Sequence, residues 1–219
     1  MTAKKISIII PTLNEEKTIS QCLETVVNIP GTEIIVSDGG STDSTVEIAG
    51  QHSDVKVVSS PAGRSIQMNN GAACAGGDIL LFLHADCILP GEDVLKVRQI
   101  FDNGRFAGGA FQIRLLSDKF PYKWLERGIN FRSMVFKLPY GDQGLFVKRS
   151  LFEKLGGFRE MPVCEDLDFV CRLRRKYGEI AILNGRISSS VRTWKKRGAF
   201  RTSFRNQLLL YSYMFRQKV

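Results

Sequence analysis

An α/β fold, with a mostly parallel central sheet flanked by helices, is what this sequence of 219 residues predicts. Over the first hundred residues, short β-branched runs alternate with polar stretches of helical spacing, the rhythm of successive strand–helix units. The runs are almost continuously apolar, as strands covered on both faces must be. Unusual polar residues gather directly after three of them, at the carboxyl ends of strands, where an open parallel sheet meets its ligands.

The first strand is "ISIII" from Ile6. In the next stretch, "NEEKTISQCLETVVNI", Ile19, Leu23, Val26 and Val27 share one helical face, with Glu15 and Glu16 expected in the first turn, where the helix dipole favours acids. "EIIVS" from Glu33 and "VKVVS" from Val55 are the second and third strands, separated by "STDSTVEIAGQH", which opens on hydroxyl and acidic capping residues. "PAGRSIQMNNGAACAGGD" reads as a small-residue helix close against the sheet, with Arg64 near its start. The fourth strand, "DILLFLH" from Asp78, runs out at His84-Ala85-Asp86.

Beyond residue 102 the rhythm changes. A glycine-bearing strand, "GRFAGGAFQI", leads into an aromatic and basic segment at 120–137. Then come a strand "GLFVKR", a helix from Glu165 to Tyr177, strands in "EIAIL" and "RISSSVRTW", and a basic C-terminal segment. No internal repeat, low-complexity tract or linker interrupts the chain. The expectation is one domain over 1–219, with halves at 1–102 and 103–194 and a basic amphipathic helix at 195–219.

Composition bounds the function classes. With 43% hydrophobic and 24% charged residues the chain is an ordinary globular one, long enough for one substantial core. No apolar run approaches the roughly 20 residues that span a bilayer, and "MTAKKISIIIPT" lacks the apolar core and cleavage site of a signal peptide. A cytoplasmic chain is expected. Its five cysteines, Cys22, Cys74, Cys87, Cys164 and Cys171, are odd in number and never paired as CxxC, which argues against a disulfide framework and against a zinc site. The net charge of +9 calls for an acidic partner, whether nucleotide phosphate, membrane surface or nucleic acid.

Neither a GxGxxG fingerprint nor a GxxxxGK[ST] phosphate loop is present, and neither His52 nor His84 follows a GxSxG elbow. The polar strand ends are Thr12, Asn14 and Glu15 after the first strand, "DGGSTD" from Asp38 after the second, and His84 with Asp86 after the fourth. Each has a structural alternative. Asp38-Gly39-Gly40 also suits a turn before a capped helix, His84 a hydrogen-bonded structural imidazole, and Asp86 another cap. Gly141-Asp142-Gln143 also reads as a turn, and Glu165, Asp166 and Asp168 as the acidic first turn of a helix that ends in "RLRRK".

Taken in order, "SIIIPTLNEE", "EIIVSDGGSTDST", "PAGRSIQMNNGA", "GDILLFLHAD", "PYGDQGLFV" and "CEDLDFVCRLRR" resemble the inverting family 2 glycosyltransferases of the GT-A fold, from Ile6 to about Trp194. The resemblance implies a nucleotide-binding half at 1–102 and an acceptor half at 103–194. Thr12, Asn14 and Glu15 would lie against the base and ribose of a nucleotide-sugar, Asp38 would accept a hydrogen bond from the base (uracil for a UDP-sugar), and Arg64 would help hold the nucleotide. Asp86 matches the last carboxylate of the family's DxD motif and would bind Mn²⁺ or Mg²⁺ on the diphosphate. The motif's first position is His84 here, expected to hydrogen-bond ribose or phosphate as a neutral group, with the role of second ligand as the alternative. Asp166 would be the general base and Glu165 its orienting neighbour. Asp142 and Gln143 would contact the sugar, and Gly109, by lacking a side chain, would leave it room.

"LFLHAD", "PYGDQGLFVKR" and "VRTWKKRGAFRT" further resemble the subgroup associated with radical-SAM or selenodomain proteins and arsenosugar biosynthesis. The implied partners are a nucleotide-sugar and a hydroxyl-bearing acceptor, which is a small molecule, a lipid-linked alcohol or a glycan. No nucleic acid is expected. Arg192, Trp194 and Arg197 would close over the diphosphate. The aromatic and basic terminal segment is expected first to pack on the domain or on a second copy, and otherwise to rest as an interfacial helix on the inner face of a membrane. A nucleotidyltransferase and a non-catalytic nucleotide-sugar-binding module are the rival readings.

Overall fold

The computed structural model describes residues 4–101, 104–161 and 163–191. Its strands are β1 (Ile6–Thr12), β2 (Thr32–Asp38), β3 (Val55–Ser59), β4 (Ile79–Phe82), β5 (Cys87–Ile88), β6 (Phe106–Leu115), β7 (Leu145–Lys148) and β8 (Glu179–Ser189). The helices are α1 (Ile19–Val26), α2 (Thr45–Gly50), α3 (Arg64–Ala73), α4 (Gly91–Ile100), α5 (Phe120–Phe136), α6 (Arg149–Leu155) and α7 (Glu165–Tyr177). The eight strands form one sheet in the order β3-β2-β1-β4-β7-β6-β8-β5. β1 to β4 pair in parallel, as does β6 with β8, while β7 and β5 run against their neighbours.

Alternation along each strand sends side chains to opposite faces, and both faces are covered. Ile8, Ile10 and Leu81 point to one core with Leu23 and Val26 of α1 and Val94 and Val97 of α4. Ile9, Ile35, Leu80 and Phe82 point to the other, with Met68 of α3 and an aromatic cluster of Phe152, Phe158 and Phe169. In that cluster Phe82 meets Phe158 edge-on at 4.8 Å between centroids, a favoured aromatic geometry. The close approach of α3 to the sheet requires Gly71, where a Cβ would come within 2.5 Å of Ile9 Cγ2.

Several expectations are corrected. α1 begins only at Ile19, so Glu15 and Glu16 lie before the helix, tied to the next loop. The fourth strand ends at Phe82, and His84-Ala85-Asp86 is a turn closed by Cys87 N–H donating to the His84 carbonyl at 3.0 Å. β8 is a single strand where two were expected. Its register shifts so that Asn184 and Gly185 bulge out between the Phe111–Leu183 and Gln112–Arg186 pairs. α4, α5, α6 and the two-residue β5 were not anticipated. Among the described residues no helix is long and apolar enough to cross a membrane.

Gly109 does not open space for a ligand. It pairs with Phe146 across β6 and β7, and a Cβ there would run into the Phe146 ring and come within 2.7 Å of the Ala181 carbonyl oxygen. Overpacking of this kind costs about 1–3 kcal/mol. Gly109→Ala should therefore lower unfolding free energy by about that amount in urea denaturation, and a neutral result would mean that the β6–β7 pair is looser than drawn.

Candidate active site

The site is assembled at the carboxyl edge of β1, β2 and β4. Parallel register sets Thr12 opposite Asp38, and the Leu83 N–H donates to the Ile9 carbonyl at 2.9 Å, so the three chain exits lie side by side. Gln67 of α3 braces this edge, donating to the carbonyl oxygens of Thr12 at 2.6 Å and Ser37 at 3.1 Å. Nothing in the sequence singled it out, since a helical glutamine is ordinarily a surface residue.

Asp38 is buried and its carboxylate is filled from within the chain. Oδ1 accepts from the hydroxyls of Thr12 (3.1 Å) and Ser41 (2.5 Å), and Oδ2 from the Gly40 and Ser41 amides, both at 2.9 Å. Burial alone would raise its pKa. The hydroxyl and amide of Ser41, the Gly40 amide and the Thr12 hydroxyl outweigh it and hold the carboxyl below its usual range. These four bonds account for the lone-pair sites of a carboxylate. Asp38 thus shapes the loop instead of offering an oxygen to a base, and Thr12, 1% exposed, is its buried partner.

Asn14 takes the left-handed conformation at φ +56°, which asparagine tolerates. Its Oδ1 accepts from the Thr42 amide at 2.9 Å, and its own amide donates to Ser41 Oγ at 2.9 Å. Glu15 N–H donates to Thr45 Oγ1 at 2.8 Å. The loops after β1 and β2 are thereby fastened into one rim.

His84 and Asp86 are both half-buried in the turn after β4. Burial, helped by the Arg64 charge, pushes the His84 pKa down to about 3, so the imidazole is neutral at ordinary pH. Arg64, exposed at the start of α3, reaches across to Glu165 at 3.2 Å. Glu165 is 4% exposed, and burial followed by the neighbouring Asp166 raises its pKa in spite of Arg64.

Asp166 enters from the far half of the chain, on the first turn of α7. That turn carries Glu165, Asp166 and Asp168 and the last turn Arg174, Arg175 and Lys176, as the dipole favours. Cys164 before it is held at φ +66°. The Asp166 Oδ1 accepts from the Leu167 amide at 2.7 Å, and Oδ2 accepts from the Gly141 amide. A Cβ on Gly141 would lie 3.1 Å from both His84 Nε2 and Asp166 Oδ2, so the β4 turn and α7 meet at this one residue.

Gly141, Asp142 and Gln143 form a short 3-10 turn. Gln143 is not a sugar contact in this arrangement. It is fully buried, accepting from Ser133 Oγ at 2.7 Å and the Tyr140 amide at 3.2 Å and donating to the Phe111 carbonyl at 2.9 Å. Asp142 differs: its Oδ1 is buried without a hydrogen-bond partner. Burial raises its pKa to about 6; Arg132 and Arg64 oppose the rise, and Asp166 and Asp86 add to it. Arg132 of α5, unforeseen from the sequence, stacks 3.6 Å over the Tyr140 ring, and its Nε is likewise buried without a partner. Trp194, with Arg192, Arg197 and the rest of 192–219, lies outside the described residues.

The arrangement brings Asp86 and Asp166 within electrostatic reach of Asp142, moderated by two arginines. The model of glycosyl transferase family 2 matches residues 7–180. A probable glycosyltransferase of Bacillus subtilis, YdaM, is 27% identical over 195 residues, covering 77% of this chain. The chain spans only 46% of that relative's length. Among solved structures, S. aureus TarS 1-349 in complex with UDP-GlcNAc superposes with a TM-score of 0.69 at 18% identity, over 85% of this chain and 58% of that 1-349 chain. The mannosyltransferase PcManGT of Pyrobaculum calidifontis, in complex with GDP-Man and Mn²⁺, gives 0.65 at 22% identity over 89% of this chain and 58% of its own. The fold is that of the GT-A glycosyltransferases, with the expected mostly parallel sheet.

Asp142 sets a pH signature. Its folded pKa of about 6 exceeds the ordinary 3.8, so between those values the folded chain keeps a proton that the unfolded chain has lost. Its contribution to stability therefore falls as pH rises through that window. In metal-free protein, Asp142→Asn should flatten the decline seen in urea denaturation from about pH 4 to about pH 6, and should be the more stable chain at neutral pH. An unchanged slope would place the Asp142 carboxyl in water.

Proposed function

We propose, from the premise that the chain belongs to glycosyl transferase family 2, that it transfers a sugar from a nucleotide-sugar to a hydroxyl acceptor with inversion at the anomeric carbon. The observation that carries this reading is the meeting of His84 and Asp166 at Gly141, which unites the strand-end edge with a carboxylate from the opposite half. Inversion needs a base on the face of the sugar opposite the departing diphosphate, so the base must come from a separate chain segment.

In the proposed reaction Asp166 accepts the proton of the acceptor hydroxyl, whose oxygen bonds to the anomeric carbon. The bond from that carbon to the diphosphate oxygen breaks, and its electron pair leaves with the diphosphate. Two amide N–H groups fix the Asp166 carboxylate, leaving each oxygen a further lone pair. Arg64 and Glu165 hold one another across the cleft and so set the first turn of α7 against the start of α3. Neutral His84 serves as a hydrogen-bond partner for ribose or phosphate, and Asp142 offers its unpartnered oxygen to a sugar hydroxyl. Asn14 and Glu15, with Thr12 and Asp38 buried behind them, form the nucleotide rim.

Among the described residues no group of three histidines, cysteines or acids could enclose a metal ion. The donor set still fits Mg²⁺ or Mn²⁺, which commonly takes one or two carboxylates with waters and substrate phosphates. Asp86 would hold it, and the excess of acids around Asp142 favours a cation nearby. When bound, such an ion stabilises negative charge on a leaving diphosphate.

A UDP-sugar is the donor we favour, with the UDP-GlcNAc complex of TarS as its support. The subgroup associated with radical-SAM proteins and arsenosugar biosynthesis is proposed on "LFLHAD", "PYGDQGLFVKR" and "VRTWKKRGAFRT" alone. The division into a nucleotide half at 1–102 and an acceptor half at 103–194 belongs to the same proposal. A cytoplasmic place of work accords with five cysteines that are all free.

Asp166→Asn should lower transfer by at least about a hundredfold, the scale of a lost general base, while nucleotide binding by calorimetry stays within twofold or so. Asp86→Ala should instead weaken nucleotide binding, and only when Mn²⁺ is present. Titration with UDP, GDP and dTDP sugars decides the donor, and a chain that binds none of them, with or without Mn²⁺, is no glycosyltransferase.

A further inference from the structure

α5 is a helix of two unlike sides. Inward, Ile129 and Ser133 are buried, Tyr122 and Leu125 pack on the core, and Asn130 exchanges two hydrogen bonds with the backbone of Ile113. Outward, Phe120, Trp124, Phe131 and Val135 are 77, 67, 61 and 55% exposed. Their spacing of i, i+4, i+11 and i+15 makes one stripe, with exposed Gly128 filling the i+8 position. Met134 widens it. Scattered apolar residues on a surface are ordinary, but an aromatic stripe along a whole helix marks a contact.

The charges around the stripe say what kind of contact. Lys119, Arg127 and Lys137 are exposed on or beside α5, as is Arg114 on the adjoining strand. Asp118, already engaged by Lys123 at 3.3 Å, and Glu126, turned in to the Leu115 amide, are the acids of the helix and its entry. The chain's last described strand ends beside the entry to α5, with Leu116 N–H donating to the Ser189 carbonyl at 3.0 Å. Residues 192–219, outside the described residues, carry eight lysines and arginines and no acid. A second copy of this chain, or the terminal segment itself, would set cation against cation, which disfavours pairing. Aromatic side chains at the centre of a helix face and cations along its margins match a surface with an apolar interior and anionic headgroups.

We propose that the outer face of α5 is a docking surface for an anionic lipid bilayer, with the helix lying in the plane of the headgroups. The inference stands on the exposure and charge of α5 and does not depend on the sugar-transfer reading.

Sedimentation of the full chain with vesicles tests it. Binding is expected to vesicles of phosphatidylcholine with phosphatidylglycerol, to weaken in high salt, and to fail on phosphatidylcholine alone. Trp124→Glu with Phe131→Glu should lower the bound fraction by about tenfold, since the aromatic contacts and not charge alone hold the helix down. In a Trp194→Phe chain, Trp124 fluorescence should shift to the blue on anionic vesicles and be quenched by brominated lipid. That reading needs no disruptive variant, so it decides the matter even if the double substitution unfolds the chain. Three results would each overturn the proposal: no binding to anionic vesicles; a Trp124 untouched by brominated lipid while the chain is bound; or a stable dimer in light scattering that Trp124→Glu converts to monomer.

Discussion

Everything in the candidate site depends on the parallel pairing of β1 with β2 and β4. That register decides that Thr12 faces Asp38 and that the chain leaves β4 beside the carboxyl end of β1. Because pleated strands alternate faces, a slip of one residue would turn Ile8 and Ile10 out of one core and Ile9 into it. The cores therefore fix the register, and the register fixes the rim. Asp38 then needs only local hydroxyls and amides to hold the loop that fastens Asn14 and Glu15.

What the sequence disclosed and what it hid follow from how far each signal reaches. β1 to β3, α3 and α7 were legible because their patterns are local: β-branched runs, small residues at close-packing spacing, acids at one helix end and bases at the other. The convergence of Asp86 and Asp166 was anticipated only through order along the chain, since no local pattern says that two turns eighty residues apart share a neighbour. Gln143 and Gly109 were misread for one reason. A polar residue beside a functional motif, or a glycine in a strand, looks the same whether it serves a ligand or the core. Only the Ser133 and Phe111 partners of Gln143, and the Phe146 ring against Gly109, separate the two uses. α4 and α6 escaped notice because they are short, ten and seven residues, too few turns for a helical period to stand out.

The electrostatics of the cleft carry their own argument. Asp168, almost wholly buried, is satisfied by Arg172 at 2.7 Å and Arg159 at 3.3 Å, and it locks α7 in place. Two residues earlier, Asp166 has only backbone donors among the described residues, and Asp142 keeps a buried oxygen with none among them. A fold that fully pairs one acid on α7 and leaves its neighbours short of partners holds a polarity that a ligand completes, because an unsatisfied buried oxygen is expensive unless something fills it. The neutral state of His84 belongs to the same pattern: a charged imidazole beside Arg64 would repel the guanidinium that pairs with Glu165.

α5 joins this cleft to the outer surface of the molecule. Its Ser133 hydroxyl holds Gln143, its Arg132 lies on Tyr140, and those two residues bracket Gly141, whose amide bonds Asp166. Packed side chains transmit displacement because protein interiors leave little free volume. A helix seated by its outer aromatic stripe therefore cannot tilt without disturbing the turn that carries Gly141 and the orientation of the Asp166 carboxylate. The physical reason lies in the two-sidedness of one seventeen-residue helix: its inner face is committed to the turn at the site, so whatever its outer face meets acts on that turn through contacts that are already closed.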